Sequence, residues 1–260
     1  MREFTAHAYL RILDALHRGE YEVQTFQEYL QKPNERSVIL RHDVDKRPLN
    51  SWAFAELEHS RGMLASYYFR IVDGSYEPSV IKKISALGHE LGYHYEDIDL
   101  CNGDVDKAYK SFQENLSRLR EIAPIRTACM HGSPLSKHDN RSLWDKYDYH
   151  DAGIIGEPYF DLEFTKVFYI TDTGRKWNQD ESSIRDKVQT PFQFQIRNTE
   201  HLIQLIEQRE LPNQLMINTH PQRWNDNMIL WTRELVWQSI KNQIKKVMIK
   251  NQQSKNRGSK

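Results

Sequence analysis

Acidic side chains directly follow a short apolar run near the beginning of the chain. The run 38–40 (Val-Ile-Leu) is typical of a buried strand, and Asp43 and Asp45 come after it. Side chains alternate along a strand, so both carboxylates point to the same side, where they repel each other. A divalent cation would relieve this repulsion, with one aspartate as its ligand and the other free to act as a base. The pattern therefore predicts a metal-dependent site.

Ionisable side chains also end four later apolar runs. They are His94 with Glu96 and Asp97 at run 90–95, His131 after run 125–130, Asp172 and Arg175 after run 167–171, and His220 after run 215–219. The carboxyl ends of parallel strands share one face of an α/β barrel, and active sites are found there. A single histidine at a strand end is more often a packed or surface residue. Its recurrence at successive strand ends favours one cleft built from distant parts of the chain.

Aspartate and histidine together suit zinc or another first-row divalent ion. By the alternation of side chains, Glu96 shares the face of His94, whereas His89 does not. The residues alone leave open which aspartate would bind the ion and which would act as the base.

Strand-like runs alternate with segments of helical spacing along the chain. The strands are predicted at 38–40, 65–72, 90–95, 125–130, 167–171 and 215–219, and the helices between them at 50–60, 78–87, 105–122 and 198–209. This alternation predicts an α/β fold with parallel strands. The length of 260 residues favours a barrel over an open doubly wound sheet.

We expect a single domain covering 1–260. Residues 1–36 are predicted as a helical lead-in, 230–250 as a C-terminal helix and 251–260 as a flexible tail. The C-terminal helix has an apolar face and several lysines, a pattern also found in helices that lie on membranes. We expect it to dock on the barrel instead.

Composition excludes several classes of protein. Lysine plus arginine and aspartate plus glutamate both number 36, so the chain lacks the net positive charge of most nucleic-acid binders. Two cysteines are too few for a disulfide framework. The first residues lack the apolar segment of a secretory signal, and no run reaches the roughly 18 residues of a membrane span. We therefore expect a cytoplasmic protein with no nucleic-acid partner and no stable membrane insertion; its oligomeric state is not indicated.

Three motifs resemble the polysaccharide deacetylase family, also called the NodB-homology family or carbohydrate esterase family 4. They are His-Asp-Val-Asp at 42–45, Gly-His-Glu-Leu-Gly-Tyr-His at 88–94 and Ile-Asn-Thr-His at 217–220, within a resemblance that covers about 37–224. The resemblance implies a distorted, incomplete TIM-like barrel. It also implies that Asp43 is the catalytic base, Asp45 and His94 are metal ligands and His220 is the general acid.

A looser match to the family covers Asp-Thr-Gly-Arg-Lys-Trp at 172–177. In the family this motif supports the base and the acid, which implies a supporting or substrate-binding role for Asp172, Arg175 and Trp177. Arg175 or Arg41 would replace the arginine that the family places beside the base.

The chain departs from the family at Ile98, which stands where the family has its second metal histidine. A catalytic zinc needs about three protein ligands and an open position. His131, at the end of a neighbouring strand, is the predicted substitute, and Glu96 and His42 are further candidates. Segments 131–140 and 156–161 also fall outside the family's general pattern. They indicate a divergent branch that resembles deacetylase-like proteins of bacterial surface-polysaccharide pathways.

The resemblance implies a metal-dependent hydrolase, with Zn²⁺ as the expected ion. Its substrate would be an amino sugar or polysaccharide precursor carrying an N-acyl group, most simply acetyl, in surface-polysaccharide (lipopolysaccharide) metabolism. Tyr93, Tyr95, Trp177 and Trp224 flank the motifs and are candidates to stack on sugar rings, although such residues more often pack in the core.

Two alternatives remain at this level. Ile98 in place of a ligand favours a barrel that binds carbohydrate and has lost its chemistry. The retained Asp43 and His220 argue against it, because binding alone needs no base and acid. The other alternative is a metal-dependent C–N hydrolase that acts on a small amide.

Overall fold

The computed structural model describes residues 2–133, 136–177 and 188–257, with side chains described as far as 244. Seven strands form one parallel sheet: β1 (Glu22–Gln24), β2 (Ser37–Val44), β3 (Ser66–Phe69), β4 (Glu90–Tyr95), β5 (Ile125–Met130), β6 (Val167–Thr171) and β7 (Gln214–Thr219). Their order is β5-β4-β3-β2-β7-β6, and β1 pairs with the first half of β2. The carboxyl ends of the strands therefore share one rim, as the strand–helix alternation predicts.

Helices surround this sheet. The α-helices are α1 (Ala6–Arg18), α2 (Phe26–Gln31), α3 (Pro48–His59), α4 (Pro78–Ala86), α5 (Asp97–Leu100), α6 (Val105–Arg120), α7 (Pro158–Asp161), α8 (Thr199–Glu207) and α9 (Met228–Arg257), with 3₁₀ turns at Asn140–Asp145, Tyr149–Ala152 and Pro221–Arg223. None of the helices in the described ranges is long and apolar enough to cross a membrane.

The sheet curves until its two edge strands share an interior. A small buried cluster contains Ile39 of β2, Tyr68 of β3, Cys129 of the edge strand β5, and Tyr169 of the opposite edge strand β6. Within the described ranges, β5 and β6 form no ladder with each other. The predicted fold class is confirmed: the domain is a distorted, incomplete α/β barrel of parallel strands.

The larger core lies between the outer face of the sheet and the helices. Leu40 and Ile217 of the sheet belong to one cluster with Leu13 of α1, Phe54 of α3 and Ile203 of α8. The strands are thus buried on both faces, which explains why they read as nearly continuous apolar runs rather than as an alternation.

The lead-in 1–36 differs from its prediction as a purely helical segment, because β1 lies within it. Three residues centred on Val23 pair in parallel with β2. Thr25 then begins α2 through a capping box with Glu28. The apolar residues that gave residues 21–30 a helical spacing lie on both sides of β1. The pairing of β1 with β2 therefore decided the conformation of this segment.

Helix α9 is longer than the predicted 230–250, and it extends through Arg257 into the segment predicted as a flexible tail. The sequence has no glycine or proline between 228 and 257, so no residue there forces the helix to end. Trp231 donates a hydrogen bond to the carbonyl of Glu3 (2.6 Å) and Asn242 donates one to the carbonyl of Gly174 (2.9 Å). These contacts hold the first half of α9 across the rim of the barrel.

Candidate active site

Strand β2 carries Asp43 into the interior of the barrel, where an arginine holds it. Arg41 donates two hydrogen bonds to the carboxylate, from Nε to Oδ1 (2.9 Å) and from Nη2 to Oδ2 (2.8 Å). Asn218 of β7 donates a third to Oδ2 (2.9 Å). Burial alone would raise the pKa of Asp43, but the guanidinium charge of Arg41 holds it well below its usual range. Asp43 is therefore ionised at neutral pH.

Asp45, His94 and His131 converge on one point beside Asp43. Asp45 Oδ1 lies 3.7 Å from His94 Nε2 and 3.6 Å from His131 Nε2, and the three residues form a group that could hold a metal ion. Two ligand atoms on a tetrahedral zinc ion stand about 3.4 Å apart. The spacing of the three side chains therefore suits a divalent ion.

An unpaired oxygen strengthens this fit. Asp45 Oδ1 is buried and has no hydrogen-bond partner among the described residues, whereas Gln222 donates to Oδ2 (2.9 Å). A buried carboxylate oxygen without a partner is costly. A cation bound between the carboxylate and the two imidazoles would satisfy it.

Both imidazoles direct Nε2 toward this point, and a polar oxygen lies close to each Nδ1. His94 Nδ1 donates to the carbonyl of Cys129 (2.9 Å), so its Nε2 carries the lone pair. Burial lowers the pKa of His94 to about 4, which keeps the ring neutral at pH 7. His131 Nδ1 lies 3.0 Å from Glu96 Oε2, and Arg70 grips Glu96 with two hydrogen bonds. Outer partners of this kind orient metal-binding histidines.

The other ligand candidates face elsewhere. Ile98 is buried in the apolar core, and His42 points out of the barrel, where its Nε2 lies 2.7 Å from Glu58. A second group within 4.8 Å contains Asp43, His94 and Cys129. It is less suited to a cation, because Arg41 already donates to both oxygens of Asp43.

His220 follows β7 and faces Asp43 across the cleft. Its Nε2 lies 3.9 Å from Asp43 Oδ2, and its Nδ1 lies 2.6 Å from Asp172 Oδ1. Asp172 also accepts hydrogen bonds from Trp224 Nε1 (2.7 Å) and Arg223 (2.9 Å). Burial would raise the pKa of Asp172, but the charges of His220 and Arg223 lower it, so this carboxylate is ionised and orients the imidazole.

The side chains of Arg175 and Trp177 have other contacts, although Trp177 packs on Trp224 with ring centroids 5.9 Å apart. Arg175 stacks on the rings of Phe4 (5.0 Å) and Trp231 (4.8 Å), and Trp177 donates to Thr199 Oγ1 (3.0 Å). The arginine beside Asp43 is Arg41 and not Arg175. The indole that contacts Asp172 belongs to Trp224, so the contacts of Arg175 and Trp177 join the lead-in and α9 to the barrel.

The four aromatic rings named as candidates to stack on sugars are all buried: Tyr93 (1% exposed), Tyr95 (0%), Trp177 (4%) and Trp224 (2%). That expectation is therefore wrong. Tyr93 and Tyr95 flank His94 on β4, so alternation turns them toward the helices when His94 faces the interior.

Sequence reasoning also missed several residues that contact the site. Asn218 stands two positions before His220, and strand alternation was a sufficient signal for it. Arg70 follows the end of β3 and Gln222 follows the end of β7. Beyond a strand end, no periodicity predicts which way a side chain points.

The site opens into a cleft of about 350 Å³ at the rim of the barrel. Asp43, Asp45, His94, His131 and His220 line its floor, and four residues of α9 (Glu234, Gln238, Lys241 and Ile244) line its outer wall. Helix α9 therefore contributes to the binding surface as well as to packing.

Neither protein-family models nor curated proteins give a match to the chain. Among solved structures, it is similar to the Xyl-CE4 domain of a multidomain xylanase from the hindgut metagenome of Trinervitermes trinervoides. The identity is 12% and the TM-score 0.40, over 81% of this chain and 85% of that chain. Because both values are low, the functional argument below rests on the geometry of the site.

Proposed function

We propose that the protein is a metal-dependent hydrolase that removes an N-acyl group, most simply acetyl, from an amino sugar. The observation that carries this proposal is the unpaired Asp45 Oδ1 between His94 Nε2 and His131 Nε2, directly beside an ionised Asp43. The resemblance of the motifs to deacetylases of surface-polysaccharide pathways supports an amino sugar in that metabolism.

Asp45, His94 and His131 would hold the metal ion, and this ligand set favours Zn²⁺. When bound, such an ion polarises an acyl carbonyl and lowers the pKa of water to about 7. His94 contributes a neutral imidazole whose direction is fixed by the Cys129 carbonyl. Glu96 lies 3.0 Å from Nδ1 of His131, close enough to attract that ring electrostatically.

Asp43 is the proposed base. In the hydrolysis, the oxygen of a water molecule bonds to the acyl carbon, the C–N bond breaks, and Asp43 takes a proton from the water. Arg41 and Asn218 fix the carboxylate through three hydrogen bonds.

His220 is the proposed acid, which delivers a proton to the departing amine nitrogen. Asp172 accepts from Nδ1, so Nε2 is the nitrogen left to face the cleft. The separation of 3.9 Å between His220 Nε2 and Asp43 Oδ2 brings acid and base to one small reaction site.

The decisive experiment joins elemental analysis to an assay of amine release. The purified protein should contain about one equivalent of a divalent metal, release acetate and amine from N-acetylglucosamine oligomers, lose this activity on chelation and regain it with Zn²⁺. Full activity after verified removal of the metal would overturn the proposal. Sugar binding without amine release would point to a carbohydrate-binding barrel, and release from small amides alone would point to a different C–N hydrolase.

A further inference from the structure

Lys241 of α9 lines the cleft, and the carboxylates that attract it, those of Glu234 and Asp45, do not form a close ion pair with it. Its Nζ lies 5.3 Å from the centre of the Trp237 ring, and among the described residues it forms no ion pair. Burial, together with repulsion from Lys46 and Arg223, lowers its pKa. The fold therefore keeps a cation close to two others in a partly buried position.

Two other basic residues of the cleft, Arg70 and Arg223, do have carboxylate partners. Arg70 grips Glu96 with two hydrogen bonds, and Arg223 Nη1 lies 2.9 Å from Asp172 Oδ1. These two cations are each balanced by a buried carboxylate.

Lys46 and Arg47 share a single carboxylate. Glu234 Oε2 lies 3.9 Å from Lys46 and 3.6 Å from Arg47, and Glu234 is itself buried. Arg47 does not line the cleft, so the outer wall itself presents Lys46 and Lys241 against the single carboxylate of Glu234. The outer wall of the cleft carries an excess of positive charge, although the whole chain is formally neutral.

The cleft also lacks the usual surface for sugar recognition. None of the described residues that line it is a phenylalanine, tyrosine or tryptophan. The outer wall therefore recognises a ligand through polar and ionic groups, among them Gln238, Glu234 and Lys241.

From this arrangement we infer that the cleft takes an amino sugar that carries a phosphate group, and that Lys241 and Lys46 bind the phosphate. The inference rests on the proposed function and names its substrate class. Lysine ammonium groups bind phosphate as point charges, and a cleft lined by one sign of charge concentrates ligands of the opposite sign. The phosphate could belong to a nucleotide or to a lipid carrier, and both present the same chemistry to these lysines.

The kinetic test compares phosphorylated and neutral sugars. In Lys241→Met, the KM for UDP-N-acetylglucosamine or N-acetylglucosamine 1-phosphate should rise about tenfold with little change in kcat, because a charge-assisted contact is lost. Lys241→Arg should restore the value, and the rise in KM of Lys241→Met should be several-fold smaller for neutral N-acetylglucosamine oligomers than for the phosphorylated sugars. The matched control is Lys83→Met, which removes a lysine that lies over Trp52 outside the cleft. Equal effects of Lys241→Met on neutral and phosphorylated sugars would overturn the inference.

A binding measurement separates this inference from the proposed hydrolysis. Calorimetry with N-acetylglucosamine 1-phosphate uses chelated protein, so that no metal can hold the phosphate. Its affinity should fall about tenfold in Lys241→Met and not in Lys83→Met. Selective binding without amine release would refute the hydrolase and leave the inference standing, whereas hydrolysis without phosphate selectivity would refute the inference alone. The carrier is identified by comparing the KM for a UDP-linked sugar with that for a polyprenyl-phosphate sugar in detergent, and the lower KM marks the natural form.

Discussion

Two clusters of histidine and carboxylate lie on opposite faces of β2. The cleft cluster contains Asp45, His94 and His131, and what we name the closed cluster contains His42, Glu58 and His89. In the closed cluster, Glu58 Oε1 accepts from His42 Nε2 (2.7 Å) and from Tyr9, and Oε2 accepts from Tyr67 (2.6 Å).

The histidines of the closed cluster are equally engaged. His89 Nδ1 accepts from the backbone N–H of Ala65 (3.1 Å), and its Nε2 donates to the carbonyl of Ala55 (3.0 Å). His42 Nδ1 lies 2.7 Å from the hydroxyl of Thr219. Residue types that suit a metal site are thus present on both faces of the strand. Only the cleft cluster leaves ligand atoms unpaired and faces a cavity, and these two properties distinguish a candidate site from a polar part of the core.

The largest expected effect tests chemistry in the cleft. Asp43→Asn should lower kcat by about 10³-fold, because a positioned base contributes about 10²–10⁴-fold. The metal content should stay at that of the unmodified protein, since Asp43 is not a proposed ligand. Asp73→Asn, the same change on an exposed loop, is the control. Full turnover by Asp43→Asn would assign the base elsewhere.

The next effect tests the closed cluster. His42→Ala should destabilise the protein by about 3–5 kcal/mol, because it leaves the buried charge of Glu58 without its partner. Urea unfolding measures this loss. Metal binding by the fraction that remains folded should not change. A loss of metal affinity without a loss of stability would show that His42 belongs to the metal site.

His131→Ala should give the opposite result. Its metal affinity should fall by about 10–100-fold or more, while the stability of the metal-free protein changes by less than about 1 kcal/mol. Competition with a chelating dye and urea unfolding measure the two quantities. His150→Ala, at an exposed histidine, should alter neither. Unchanged zinc affinity in His131→Ala would leave Asp45 and His94 without the proposed third ligand.

Local periodicity predicted the parts of the molecule that depend on alternation along strands. Strands β4, β5 and β6 have the bounds predicted from sequence. The alternation along β2 also predicted that Asp43 and Asp45 share a face opposite His42, and the structure places them so. His131 was predicted to join Asp45 and His94, and the three side chains do converge; the role of each remains a prediction.

Contacts between segments distant in the sequence could not be predicted in the same way. Arg41 is an exception, because it stands two positions before Asp43 on β2 and alternation alone would have preferred it to Arg175. Trp177 was chosen over Trp224 from its place in a motif, yet the turn after β7 brings Trp224 to Asp172. Side chains on turns have no period from which their direction can be inferred.

Trp224 and Trp177 provide a matched test with a smaller expected effect on kcat. Trp224→Phe removes the hydrogen bond to Asp172, which orients His220, so kcat should fall about tenfold while KM is largely kept. Trp177→Phe removes the hydrogen bond to Thr199 but leaves the one from Trp224 to Asp172, so kcat should stay within about twofold. Steady-state kinetics of both variants provide the comparison. Equal losses of kcat would indicate a packing effect and would remove Trp224 from the orientation of His220.

The smallest expected effect is a pH dependence that belongs to the closed cluster. Burial would raise the pKa of Glu58, but the charge of His42 and hydrogen bonds from His42 and Tyr67 leave it below its ordinary value of 4.5. The stability that these contacts contribute is therefore complete above pH 4.5 and is lost as the pH falls through the lower folded pKa.

Tyr67→Phe should consequently destabilise the protein more at pH 7 than in acid, with a pH-dependent part of about 1 kcal/mol, because the lost hydrogen bond favours ionised Glu58. Tyr21→Phe is the control, since Tyr21 donates to the backbone carbonyl of Pro212 (2.7 Å), which does not titrate. Urea unfolding of both variants between pH 7 and pH 3.5 measures the difference. If the penalty of Tyr67→Phe is as constant with pH as that of Tyr21→Phe, then Glu58 is not the ionised centre of its cluster. The contrast between Glu58, whose two oxygens accept hydrogen bonds, and Asp45, whose Oδ1 accepts none, would then need another explanation.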